Sequence, residues 1–286
     1  MWPFSTRPTV PVLRFNGPIG MATPLRPGLS IGTLAGPIER AFSMSKLPGV
    51  AIIINSPGGS AVQSSLILQR IRQLADEKKK KVYVFCEDVA ASGGYYLAVA
   101  GDEIYADQSS IIGSIGVIAA TFGFDKAIEK LGIDRRIYTA GRSKSTLDAF
   151  MPEKEEDVDR IKAVQRDIHS AFIDVVKHRR TGRLKAADED LFTGAFWSAS
   201  QALEYGLIDG IGNVRGKMRE LFGDTVRLRV VPISSGGLLS RLRRVPAFEA
   251  TVEPLSPLRT AGIAAGLGDE LLSSIEARLL WSRFGL

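Results

Sequence analysis

At 286 residues, with 45% apolar and 24% charged side chains, the chain has the material for one large or two modest globular domains and not the composition of a disordered one. Its net charge of +6 comes from interspersed acids and bases without an aromatic-studded basic stripe, which argues against a nucleic-acid partner and leaves peripheral contact with an acidic membrane surface open. The single cysteine, Cys86, excludes an intramolecular disulfide and points to a reducing, cytoplasmic compartment.

Met1 to Asn16 carries Pro3, Pro8 and Pro11, so it lacks the apolar core of a signal peptide. No run approaches the roughly 18 apolar residues of a membrane span. Val10–Phe15 reads as a first strand, followed by a Gly/Pro-rich loop over 17–32. Leu34–Ser45 is helix-like, with Pro37 tolerable in the first turn. Val50–Ile54 is a β-branched run suited to a parallel strand buried on both faces. Val62–Ala75 has helical spacing. Lys78–Lys81 follows and reads as a solvated helix end rather than an anion site.

Val82–Phe85 is the next buried strand, with Cys86 at its end reading as a small buried side chain. Ser92–Ala100 reads as a helix and Glu103–Ala106 as a strand. The alternation of strand and helix argues for parallel βαβ units with right-handed crossovers. Ile115–Ala119 and Arg135–Thr139 are expected as strands, and Asp125–Leu131 as a helix. Glu153–Lys177 is a long helix with Val158, Ile161, Val164, Ile168, Phe172 and Val175 on one face. Short helices at Ala186–Phe192 and Ser200–Tyr205, a helix at Val214–Phe222 and a strand at Val226–Val231 complete a first unit, 1–232. Residues 233–286 read as a linker with the basic run Arg241-Leu242-Arg243-Arg244, then an amphipathic helix over Asp269–Phe284.

Three glycine-serine blocks fall at strand ends: Asn55-Ser56-Pro57-Gly58-Gly59, Ala91-Ser92-Gly93-Gly94-Tyr95-Tyr96 and Gly113-Ser114-Ile115-Gly116-Val117. Ser92 sits among small residues before a helix, where a carbonyl could approach it. Gly93 offers a free amide at the helix start, and Gly58 and Gly59 offer amides beside it, at the strand ends where open α/β sheets place ligands. A serine nucleophile also needs a base. His169 and His178 lie in or at the end of the long helix without a triad-like local setting. A neutral lysine can serve instead, but spacing does not choose among the lysines. No metal-ligand spacing appears.

The order and spacing of the three blocks resemble the signal peptide peptidase A family, the serine peptidases of family S49, from about Val12 to Val231. The resemblance implies a ClpP/crotonase-like α/β fold with a parallel βαβ core, and a Ser-Lys dyad. It puts the nucleophile on Ser92 and the base on Lys144, in Gly141-Arg142-Ser143-Lys144-Ser145 before the acidic start of the long helix. It puts oxyanion donors on Gly59 and Gly93, and makes Ser114 a wall of the substrate site. It implies cleavage of peptides or signal peptide remnants at small or apolar residues, without a cofactor or metal, in a ring-like homo-oligomer whose grooves border a neighbouring chain. The rate is expected to rise with pH through the lysine's ionisation. The competing readings are a crotonase-like acyl-CoA enzyme, which would need neither Ser92 nor Lys144, and a non-catalytic scaffold. The segment after Pro232 reads as a subunit contact, with a membrane surface or the substrate groove as alternatives.

Overall fold

A computed structural model describes residues 7–21, 28–141, 143–233, 275 and 278–286. Among these, eight strands form one sheet. Its central strands are β1 (Thr9–Asn16), β2 (Gly49–Ser56) and β3 (Lys81–Ala91). They pair in parallel in the order β1-β2-β3, as expected for βαβ units. Beyond β3 lie β4 (Glu103–Ala106) and β5 (Ile111–Gly113), which pair with different parts of it. A short β6 (Phe196–Ser198) adds antiparallel to β5, β7 (Gly210–Ile211) pairs with β4, and β8 (Arg227–Val230) closes the far edge beside β1. This mixed α/β sheet, mostly parallel and flanked by helices, agrees with the expected fold class.

Every residue of β2 is buried, and its side chains alternate between two layers. Val50, Ile52 and Ile54 enter the main core with α1 (Ile31–Ser43), α2 (Ala61–Lys78) and α3 (Gly93–Ala98). Ala51 and Ile53 face the second layer, which includes Met218 of α8 (Val214–Phe222). Ser30 and Thr33 form a capping box on α1, and Ser60 caps α2 by accepting from Gln63 N–H. The lysine run is the end of α2: Lys79 closes the helix in the left-handed conformation and Lys81 opens β3. Arg180, fully buried, donates to Gly206 O and to both carboxylate oxygens of Asp209, whose Oδ2 also accepts from Ile104 N–H.

Two expected strands are absent. Ile115–Ala119 leaves the sheet, because Gly116 packs against Gly194 and the chain then turns out with no partner strand. Arg135–Thr139 is almost wholly exposed and pairs with nothing. From Val117 to Glu156 no described residue is buried, although Ile118, Phe122, Leu131, Ile133 and Tyr138 are large and apolar. The helix α4 (Asp125–Lys130) lies in this arm. The long helix α5 (Glu155–Arg179) buries Phe172 and Val176 against the core, but Val164 and Ile168 on the same stripe stay uncovered. Short helices α6 (Asp188–Leu191) and α7 (Ala199–Glu204) follow. No described helix is long and apolar enough to cross a membrane. The basic run at 241–244 and most of the expected C-terminal helix lie outside the described residues; residues 278–282 are helical.

Candidate active site

β2 and β3 run in register until Ile54 opposite Cys86, and pairing resumes with Ser56 opposite Ala90. The extra residues in β3 form a bulge, a device that bends a strand and re-aims the residues beyond it. Asn55 holds it. Its carboxamide oxygen accepts from Val89 N–H at 3.2 Å, and its amide donates to Asp88 Oδ2 at 2.6 Å. Three residues later the strand delivers Ser92 with φ 52° and ψ −122°, a conformation that L-residues rarely adopt. Such backbone strain costs about 1–3 kcal/mol and persists where surrounding structure imposes it, often at reactive sites. Here Ser92 N–H donates to Gly113 O at 2.8 Å and Ser92 O accepts from Tyr96 N–H at 2.9 Å. The hydroxyl caps nothing, and the residue is half-buried.

The glycines let three backbone segments meet. A Cβ on Gly94 would lie 2.4 Å from Ser56 O, so α3 can sit on the end of β2 only without one. A Cβ on Gly93 would lie 3.3 Å from Gly59 N, and one on Gly58 would lie 3.0 Å from Gly93 N. The Gly59 and Gly93 amides are therefore neighbours. Ile19 brackets Gly59: its N–H donates to Gly58 O at 2.8 Å, and its O accepts from Ser60 N–H at 2.9 Å. That pattern leaves Gly59 N–H with no backbone acceptor among the described residues, and Gly93, first residue of α3, has none either.

A cleft of about 270 Å³ opens on these atoms. It lies below the ~300–1,000 Å³ of a typical small-molecule pocket. It therefore suits a side chain or two of an extended chain better than a whole compact ligand. Ser92, Gly59 and Gly93 line it together with Tyr96, Val117 and Phe172. Tyr96 packs on Phe172 with the rings tilted by 36° and their centres 4.8 Å apart, whereas Tyr95 belongs to the core and donates to Leu207 O at 2.8 Å. The structure thus brings together Ser92, Gly59 and Gly93.

The other two site candidates stand apart. Ser114 is buried next to the site with φ 52°, and its N–H donates to Ala195 O at 2.7 Å, but it is not part of the cleft lining. Lys144 is exposed in the 117–156 arm and does not line the cleft. Its turn is tied to α5: Lys144 N–H donates to Gly141 O, Leu147 N–H to Asp157 Oδ2, and Arg160 to Thr146 Oγ1. His169 is occupied by the backbone, with Nε2 3.0 Å from Ile115 O. Burial pushes the Cys86 thiol up to about 12, the behaviour of an inert core residue. Sequence reasoning gave no role to four contributors. Asn55 was visible only as part of a block, Ile19 sits in a loop without any motif, and Leu280 and Arg283 come from the far C-terminal turn.

Residues 75–223 match the family model for peptidase family S49. The chain is 51% identical over 278 residues to a protein of Brucella abortus named Na(+)/H(+) antiporter NhaA, a match spanning 97% of this chain and 37% of that one. More than half of that antiporter-named protein lies outside the match. The chain is 32% identical to the chloroplastic serine protease SPPA of Arabidopsis thaliana, over 66% of this chain and 30% of that protein. It is 31% identical to protease 4 of Haemophilus influenzae, over 63% of this chain and 29% of that protein. The chain therefore spans well under half the length of these three relatives. The family match starts in α2, crosses the Ser92 turn and ends after α8, which is just over half of the chain, and the chain belongs to peptidase family S49.

Proposed function

We propose that the chain is a serine peptidase that cleaves peptides, signal peptide remnants among them, beside small or apolar residues, with Ser92 as nucleophile and Lys144 as general base. The observation that carries the reading is the pairing of a strained, half-exposed Ser92 with two adjacent amides, Gly59 and Gly93, that have no backbone acceptor among the described residues. Donors placed where an oxyanion will form are the largest catalytic contribution in acyl transfer, with each worth about 10²–10³ in kcat. In the proposed cycle neutral Lys144 Nζ takes the proton of Ser92 Oγ as that oxygen attacks the peptide carbonyl. The Gly59 and Gly93 amides hold the oxyanion. Collapse breaks the C–N bond and the lysine gives its proton to the leaving amine; neutral Lys144 Nζ then takes a proton from the attacking water and returns it to Ser92 Oγ as the acyl C–O bond breaks. Ser114 supports the wall behind the nucleophile.

Lys144 is proposed to act on Ser92 of a neighbouring copy. It is exposed, outside the cleft of its own chain, on an arm in which no described residue is buried and several large apolar ones are uncovered. Such an arm is what a subunit contact needs. A lysine amine titrates near pH 10.4 in water and becomes a useful base only when burial lowers that value. Assembly supplies that burial, so the rate should climb with pH through the lysine's ionisation. A rate flat from about pH 6 to about 10, with chemistry limiting, counts against Lys144.

The test is hydrolysis of casein and short apolar peptides by the full chain and by Ser92→Ala and Lys144→Ala, with fluorophosphonate labelling of Ser92. Cleavage and labelling lost in Ser92→Ala, and cleavage lost in Lys144→Ala, are the expected results. Cleavage that survives Ser92→Ala, or turnover of acyl-CoA esters in that variant, would overturn the reading.

A further inference from the structure

The last described turn lies on the cleft. Residues 278–282 are helical, and Phe284 N–H donates to Trp281 O at 2.9 Å. Phe284 is 8% exposed and packs with Val89 and Ala91, the strand residues that lead into Ser92. Its ring meets Phe196 of β6 edge-on at 5.1 Å. Trp281 and Ile111 border the same cluster. This docking presents Leu280 and Arg283 to the cleft that holds Ser92, Gly59 and Gly93.

The turn walls the cleft without plugging it. Ser92 remains half-exposed and open space remains beside it. Among the described residues that line the cleft, Arg283 carries the only charge; the others are apolar side chains, glycines and the hydroxyl-bearing Ser92 and Tyr96. Its guanidinium lies 6.0 Å from the centre of the Phe284 ring, and the side chain is exposed. A planar guanidinium beside an apolar surface is suited to one ligand chemistry above others: a carboxylate, gripped through paired N–H donors.

We infer that Arg283 is a specificity-determining residue of this cleft, which selects short apolar peptides carrying a carboxylate near the bond to be cut. The inference rests on the peptidase reading. The carboxylate is either the free C-terminus of the peptide or an acidic side chain, and both present the same group to Arg283.

The test measures binding, so that it does not depend on turnover. The full chain with Ser92→Ala is titrated with three fluorescent versions of one apolar peptide: a C-terminal acid, the C-terminal amide, and the amide with one glutamate introduced. Each is repeated with Arg283→Gln and Arg283→Lys added. The expected result is that at least one carboxylate peptide binds about 3–10-fold more tightly than the neutral amide. This preference disappears in Arg283→Gln, is partly kept in Arg283→Lys, and shrinks as salt is raised. Which peptide gains identifies the source of the carboxylate. Equal affinity for all three peptides, or a preference that survives Arg283→Gln, overturns the inference. Hydrolysis of the neutral amide by the chain with Ser92 intact judges the peptidase reading separately.

Discussion

Replacing Gly59 with alanine challenges the oxyanion site at its narrowest point. Gly59 has φ +139°, and an added Cβ would lie 2.2 Å from Ile19 O and 2.8 Å from Ile19 N. Ordinary contact begins near 3.4 Å, so one segment must move by about 1 Å. The segments are held by the two hydrogen bonds that Ile19 makes across Gly59. Backbone strain costs about 1–3 kcal/mol and overpacking a further ~1–3 kcal/mol. For a domain of this size that lowers Tm by about 5–15 °C. A displacement near 1 Å also takes the Gly59 amide from its place beside Gly93, and loss of one such donor lowers kcat about 10²–10³-fold. Gly223→Ala is the control. Gly223 also has positive φ, +89°, but open space around its Cβ and no part in the cleft. It should cost the backbone strain of about 1–3 kcal/mol without the overpacking, with activity kept. Thermal unfolding and peptide hydrolysis at saturating substrate, on both variants, decide the matter. Full kcat in Gly59→Ala, or an equal loss in Gly223→Ala, would refute the reasoning.

Asn55→Leu removes the acceptor of the buried Val89 N–H and the donor to Asp88. It should cost about 1–3 kcal/mol and lower kcat more than it raises KM, because the bulge sets the approach to Ser92; unchanged kcat in a folded variant contradicts that role. Arg180→Met strips Asp209 and Gly206 O of a fully buried partner and should destabilise by about 3–5 kcal/mol in urea unfolding. A loss under 1 kcal/mol would show that Arg183, which also reaches Asp209, suffices. Cys86 should resist a thiol reagent at about pH 8 until the chain unfolds. Its folded pKa is about 12 against an ordinary 9.0, so the folded state keeps a proton that the unfolded state gives up. That contribution is whole below pH 9.0 and is lost as pH climbs towards 12. Stability should therefore fall across this window, less steeply in Cys86→Ala.

The parts of this fold that were legible in the sequence are those whose partners leave a local imprint. Val50–Ile54 must be buried on both faces, and it is: alternate residues enter the two core layers. Val214–Phe222 carries its own amphipathic signal and an Asn213 cap. The short strands β6 and β7 have no such imprint, because only their pairing with β5 and β4 defines them. The error at Ile115–Ala119 has the same origin. An apolar run reads as a strand, but a strand needs a neighbour and this segment has left the sheet.

The site divides likewise. Small residues around Ser92 signalled close approach, and the structure supplies the reason in the contacts of Gly58, Gly93 and Gly94. The Ile19 bracket, which frees the Gly59 amide, comes from a loop 40 residues earlier in the chain and could not be inferred from spacing. Lys144 had no local signal at all; it was singled out by resemblance. Its exposed position, on an arm whose large apolar side chains are uncovered among the described residues, is what motivates the proposal that assembly completes the site.

Mixing Ser92→Ala with Lys144→Ala chains tests the shared dyad most directly. Each variant alone should be inactive. Dissociated and reassembled at equal amounts, they form some interfaces where an intact Ser92 from one chain meets an intact Lys144 from the next. Random assembly makes this about a quarter of all sites, so about a quarter of the unmutated activity should return. A mixture that assembles fully and stays as inactive as its two components would contradict a dyad shared between subunits.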